Sequence, residues 1–185
     1  YFISPQEVGE YGLVAASCSY LLMVLGLDFY TFTTRELPLA SPDTRAVLTN
    51  SHATVVALAY AVATPCIVLS AHAQGVSPAL IAVFLVLLFF EHVAQEIHRV
   101  MVALNHQLTA SCMLLVRNGL WVWILIGLMY WVESLRSLSA VLVAWIGGAG
   151  LACVLGLAQL RRIGLVQPAL GIHLRLITQG LKIGL

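Results

Sequence analysis

Pro78-Ala79-Leu80-Ile81-Ala82-Val83-Phe84-Leu85-Val86-Leu87-Leu88-Phe89-Phe90 runs straight into Glu91-His92-Val93-Ala94-Gln95-Glu96-Ile97-His98-Arg99, and the first thirteen of these residues carry no charge. A helix needs about 20 residues to cross roughly 30 Å of hydrocarbon, so this apolar run can span a bilayer only by taking the charged stretch in with it. At about 100° per residue, His98, Glu91, Gln95, Arg99, His92 and Glu96 fall within an arc of about 160°. Val100, Val93, Leu104, Ile97, Met101 and Ala94 occupy the opposite side. Such a helix has one face that must meet water or paired charge at bilayer depth, and one that suits lipid or a neighbouring helix.

The composition agrees with a membrane setting. Of 185 residues, 61% are hydrophobic and 9% charged, and the mean hydropathy is +0.96; a soluble domain of this length would need far more polar surface. Nine Lys plus Arg against eight Asp plus Glu leave a net charge of +1, which provides no basic field for nucleic acid and no acidic disordered tail. Cys18, Cys66, Cys112 and Cys153 lie singly in apolar runs with no CxxC pair, so they read as small packing residues rather than zinc ligands or a disulfide framework.

Five stretches are long and apolar enough to span: about 11–33, 52–71, 78–102, 108–131 and 138–157. The expected fold is therefore all-α, a polytopic transmembrane helix bundle forming a single domain over 1–185, with a cytoplasmic linker over about 158–175 and the start of a further apolar segment after it. The chain starts at Tyr1 without a signal-like leader and stops just as that new segment begins, which reads as a fragment. Arg35, Arg45, Arg99, Arg161, Arg162, Arg175 and Lys182, seven of the nine cationic residues, fall on one side of this arrangement. The positive-inside bias makes that side cytoplasmic. Trp121, Trp123, Tyr130 and Trp131 then lie in the outer half of the fourth span, the last two placed for an interfacial belt. Gly148, Ala152 and Gly156 recur every four residues on the fifth span, a spacing that permits close helix approach, and Pro65 is expected to bend the second.

Charges at depth single out candidate functional residues. Leu13 to Leu27 is only fifteen residues, so the first span is expected to draw in Asp28, with Thr31 and Arg35 following on the same face at three- and four-residue steps. Arg117 and Asn118 lie near the middle of the fourth span. A central arginine costs about 2.5 to 3.5 kcal/mol on insertion scales, and Arg117 is therefore expected to face Glu91 or Glu96 across a polar cavity. The third span should turn Glu91, Gln95 and Arg99 towards the first and fourth.

An intramembrane metalloenzyme fits poorly. HExxH is absent, neither glutamate has a histidine three residues on, and His92 with Glu96 supplies only two ligands. There is no GxSxG and no P-loop. No catalytic residue, metal or cofactor is expected. Charges of both signs along one wall of a helix bundle instead suit a transporter, and arginines suit phosphate, because the planar guanidinium stays charged and grips oxygens bidentately.

Three segments carry a resemblance to a known family: Ser4-Pro5-Gln6-Glu7-Val8-Gly9-Glu10-Tyr11-Gly12, then Leu25-Gly26-Leu27-Asp28-Phe29-Tyr30-Thr31-Phe32-Thr33-Thr34-Arg35-Glu36-Leu37, and Glu91-His92-Val93-Ala94-Gln95-Glu96-Ile97-His98-Arg99. Together they resemble the bacterial polysaccharide-export flippases of the multidrug/oligosaccharidyl-lipid/polysaccharide superfamily, over nearly the whole chain. The resemblance implies helices two to six of the first lobe of a two-lobe flippase, in the bacterial inner membrane. It implies translocation of an undecaprenyl-diphosphate-linked oligosaccharide for O-antigen, capsule or exopolysaccharide synthesis, with membrane lipid and the missing C-terminal lobe as partners and possible Na+ or H+ coupling. Within that reading Asp28, Arg35, Glu91, His92, Gln95, Glu96, Arg99, Arg117 and Asn118 line the substrate path. Two alternatives stay open: an ion-coupled drug exporter of the same superfamily, holding a cation through its acids, and a membrane-embedded sugar polymerase or ligase, for which both outward loops are short.

Overall fold

The computed structural model of the chain describes residues 2–26 and 29–165. Asp28, Arg175, Lys182 and the part of the linker beyond residue 165 lie outside the described residues. The fold is an all-α bundle: α1 (Pro5–Gly26), α2 (Phe29–Glu36), α3 (Pro42–Ala73), α4 (Pro78–Ala103), α5 (Gln107–Leu115), a π-helical turn (Val116–Leu120), α6 (Trp121–Trp131), a short 3-10 turn (Glu133–Leu135) and α7 (Leu138–Arg162). Five helices are long and apolar enough to cross a membrane: α1, α3, α4, α7 and the continuous α5–α6 rod over Gln107–Trp131. This is the architecture of a multi-pass membrane protein.

Serine starts four of the helices, α1, α3, α4 and α7. Ser4 and Glu7 exchange caps, with the Ser4 amide donating to Glu7 Oε2 at 3.0 Å and the Glu7 amide donating to Ser4 Oγ at 3.3 Å, the reciprocal pattern of a capping box. Ser41, Ser77 and Ser137 each accept an amide N–H three residues on, and Pro42 and Pro78 sit in the first turn, where the missing N–H is harmless. These caps explain two departures from the spans read off hydropathy. The first helix, described over Pro5–Gly26, starts at Pro5 rather than at residue 11, because the capping box sets its start ahead of the apolar run. The second runs Pro42–Ala73 rather than 52–71, since polar residues 49–52 are absorbed into the helix once Ser41 has capped it. It continues through Pro65 as helix.

α4 is the hub, packed on α7 and α5 and touching α1, α2 and α3. Leu87, Leu88, Ala94 and Met101 on it are fully buried. The α4–α7 approach is close because α7 presents glycine there: a Cβ on Gly156 would lie 2.5 Å from Ile97 Cγ2 and 2.6 Å from Met113 Cε, and one on Gly148 would overlap the Trp121 ring. α4 turns into α5 through Asn105, whose φ of 61° is left-handed, a conformation asparagine tolerates better than most residues. α3 contributes little to the core, and its Leu58, Val62 and Leu69 are exposed, as suits a lipid-facing surface.

Candidate functional site

The charged stretch of α4 organises two polar clusters, one on each flank. On the first flank stands Arg117, carried by the π-helical turn, a local widening that often marks functional positions in helices. Its Nε donates to Glu91 Oε2 at 2.7 Å, its Nη2 lies 2.6 Å from the same oxygen, and Nη2 also donates to Gln95 Oε1 at 3.4 Å. Glu91 Oε1 accepts from Trp145 Nε1 of α7 at 2.7 Å. Glu91 is only 3% exposed, so a carboxylate removed from solvent is held by three N–H donors. Trp121 Nε1 donates to the Arg117 carbonyl at 2.7 Å, and its ring stacks on Trp145 with centroids 6.2 Å apart and planes at 8°. The indole pair thus pins both the backbone of Arg117 and the acid that receives its side chain.

On the other flank Glu96 faces α3. His52 Nε2 lies 3.0 Å from Glu96 Oε2, His92 Nε2 lies 3.6 Å from Oε1, and Arg99 Nη1 donates to Oε1 from one turn further along α4. Behind the imidazoles stand two hydroxyls. Thr33 Oγ1 is 3.1 Å from His52 Nδ1, and Tyr60 Oη is 3.3 Å from His92 Nδ1, with the Tyr60 and His92 rings stacked at 5.5 Å. Arg99 lies over the Tyr30 ring of α2, its Cζ 3.7 Å from the centroid, a cation–π contact.

The two clusters border different spaces. A cavity of about 300 Å³ is lined by Ser19, Gly26, Tyr30, Gln95, Arg99 and Arg117 among others, so both guanidiniums front one concavity. A larger, mostly apolar groove of about 520 Å³ between α3 and α4 is lined by Thr33, His52, Tyr60, His92 and Glu96 with Val56, Phe89, Val93 and Leu160. Glu96 stands in the wall between them, fronting the groove while bonded to an arginine of the cavity. The four central charges, Glu91, Glu96, Arg99 and Arg117, sum to zero, which makes their shared burial tolerable.

Several candidates are therefore brought together and others are not. Glu91, His92, Gln95, Glu96, Arg99 and Arg117 form the two clusters, and Arg117 meets Glu91 of its two expected partners. The polar arc of α4 reaches more widely than expected: Glu91 binds α7 as well as the Arg117 turn, and Glu96 turns to α3. His98 departs towards α5, its Nδ1 3.1 Å from the Ala110 carbonyl. Arg35 is exposed on α2 and does not line the arginine cavity, and Asn118 is exposed beside Arg117. Thr33, His52, Tyr60 and Trp145 were missed. The spacing of His52 and Tyr60, about two helical turns apart on α3, is the one signal in the sequence that could have found two of them. Among the described residues no three His, Cys, Asp or Glu side chains are grouped to share a metal ion. The chain matches no known protein family, curated protein or solved structure.

Proposed function

We propose that the chain is part of a flippase that moves a lipid-linked oligosaccharide diphosphate, of the undecaprenyl type, across a bacterial inner membrane for cell-surface polysaccharide synthesis. The observation that carries this reading is the pairing of Arg99 and Arg117 on one cavity, each held by a glutamate that an incoming anion could replace. A diphosphate offers several oxygens to two guanidinium forks and keeps the charges neutralised when it arrives. The carboxylates hold the arginines while the cavity is empty, so the site never strands a bare charge at membrane depth. In this reading Arg35 and Arg45 lie on the cytoplasmic side, and the cavity is completed by a second lobe.

The test is export by the complete protein. Arg99→Lys and Arg117→Lys keep the charge but lose the bidentate fork, so export of the lipid-linked sugar should fall while abundance in the membrane stays near normal. Wild-type export in both lysine variants and in Arg117→Gln would remove the diphosphate grip from these residues and favour a cation exporter using the same acids.

A further inference from the structure

We propose that His92 is a proton-binding site that switches Arg99: when His92 takes a proton, Glu96 pairs with the imidazolium and Arg99 is released to an anion in the neighbouring cavity. The proposal rests on the anion reading of that cavity.

The hydrogen-bond directions single out His92. Tyr60 Oη donates its one hydrogen to the Leu88 carbonyl at 3.2 Å, so its contact with His92 Nδ1 at 3.3 Å requires the imidazole to donate from Nδ1. A neutral His92 then turns the lone pair of Nε2 towards Glu96 Oε1, 3.6 Å away. Lone pair facing carboxylate is a poor contact, and a proton on Nε2 converts it into a charge-assisted hydrogen bond. His52 stands 3.0 Å from the other carboxylate oxygen, Oε2, and does not contend with Arg99 for Oε1.

Glu96 is the shared element. Its Oε1 receives Arg99 Nη1 and faces His92, so the two compete for one oxygen. With His92 neutral, Glu96 needs Arg99 as counter-charge. With His92 protonated, the imidazolium supplies that charge and the guanidinium, already fronting the arginine cavity over Tyr30, is free to meet an anion. The proton comes from water and rests on Nε2, no covalent bond other than N–H is made, and net charge is conserved when one negative charge of the ligand enters with it. Among the described residues, the groups facing this centre are Thr33 from α2, His52 and Tyr60 from α3, and His92, Glu96 and Arg99 from α4, and α7 adds only Leu157 and Leu160 to the groove. α1 places Cys18 in the cluster that packs Tyr60, and Glu91, the residue before His92 on α4, is held by Arg117 and Trp145.

Farnesyl diphosphate is a suitable probe for the full-length protein in lipid nanodiscs, with calorimetry in two buffers of different ionisation enthalpy across about pH 5.5 to 8. His92→Asn measured in parallel subtracts the probe's own titration. Wild type should take up more protons on binding than His92→Asn, by up to about one per probe, and its affinity relative to the variant should climb by up to about tenfold for each unit of falling pH. Glu96→Gln should bind more tightly than wild type at the alkaline end and lose this added pH dependence, because Arg99 is then free in either state. Superimposable proton counts for wild type and His92→Asn, or weaker alkaline binding by Glu96→Gln, would overturn the switch while leaving the anion site standing. Absence of any binding to wild type would instead overturn the anion site itself, and the switch with it.

Discussion

Arg117 approaches Glu91 through two nitrogens, Nε at 2.7 Å and Nη2 at 2.6 Å, and both fall on the same carboxylate oxygen. The other oxygen is left for Trp145 on α7. One buried acid therefore ties three spanning helices together, and its removal has two separable consequences.

Glu91→Ala leaves Arg117 without its counter-charge and should cost about 3 to 5 kcal/mol, seen as a large fall in monodisperse protein extracted from membranes. Glu91→Gln combined with Arg117→Gln removes both charges and should recover most of that loss. A double variant as poorly folded as the single one would show that the pair is not energetically coupled.

Trp145→Phe keeps an aromatic ring against Trp121 but deletes the N–H that reaches Glu91. A hydrogen bond to a charged group contributes about 1.5 to 3 kcal/mol, so the thermal midpoint in detergent should drop. In a Glu91→Gln background the same change should matter less; equal effects in both backgrounds would assign the loss to ring packing alone.

Gly148→Ala should destabilise by about 1 to 3 kcal/mol, because a methyl there overlaps the Trp121 ring, which is itself clamped between Trp145 and the Arg117 carbonyl. Gly147→Ala is the matched control, since nothing lies within 4 Å of its would-be Cβ. Melting curves of the two should separate clearly, and indistinguishable curves would mean that the indole can move aside.

Ser41 and Ser134 are exposed at opposite ends of the bundle. In a cysteine-free background, Ser134→Cys should react with an impermeant maleimide added outside the cell and Ser41→Cys only after permeabilisation. The reverse pattern would invert the orientation.

Hydropathy made α4, α5–α6 and α7 legible, and the capping serines Ser77 and Ser137 sharpened the starts of α4 and α7. α1 and α3 were harder. Their starts are set by Ser4 and Ser41 in polar sequence that a hydropathy window discards. The Glu91–Arg117 pair could be anticipated from two opposite charges at similar depth, each intolerable alone. Depth, however, says nothing about which helices stand side by side, and that azimuthal information is what places His52 and Tyr60 opposite Glu96 and His92, and Trp145 opposite Glu91. Arg35 is exposed on α2, and Asp28, to which its spacing tied it, lies outside the described residues.

The wide turn at Val116–Leu120 holds one residue more than an α-helical turn would. The extra residue is taken up locally by the wider turn, so deleting one residue there would let the rod close into regular α-helix with the outer half still in phase. Trp121 would keep its side of the rod, and Leu125 and Met129 would stay buried. The same deletion in the regular helix on either side would rotate everything beyond it by about 100°, so this turn is the one place along the rod where chain length can change without re-aiming the indole stack.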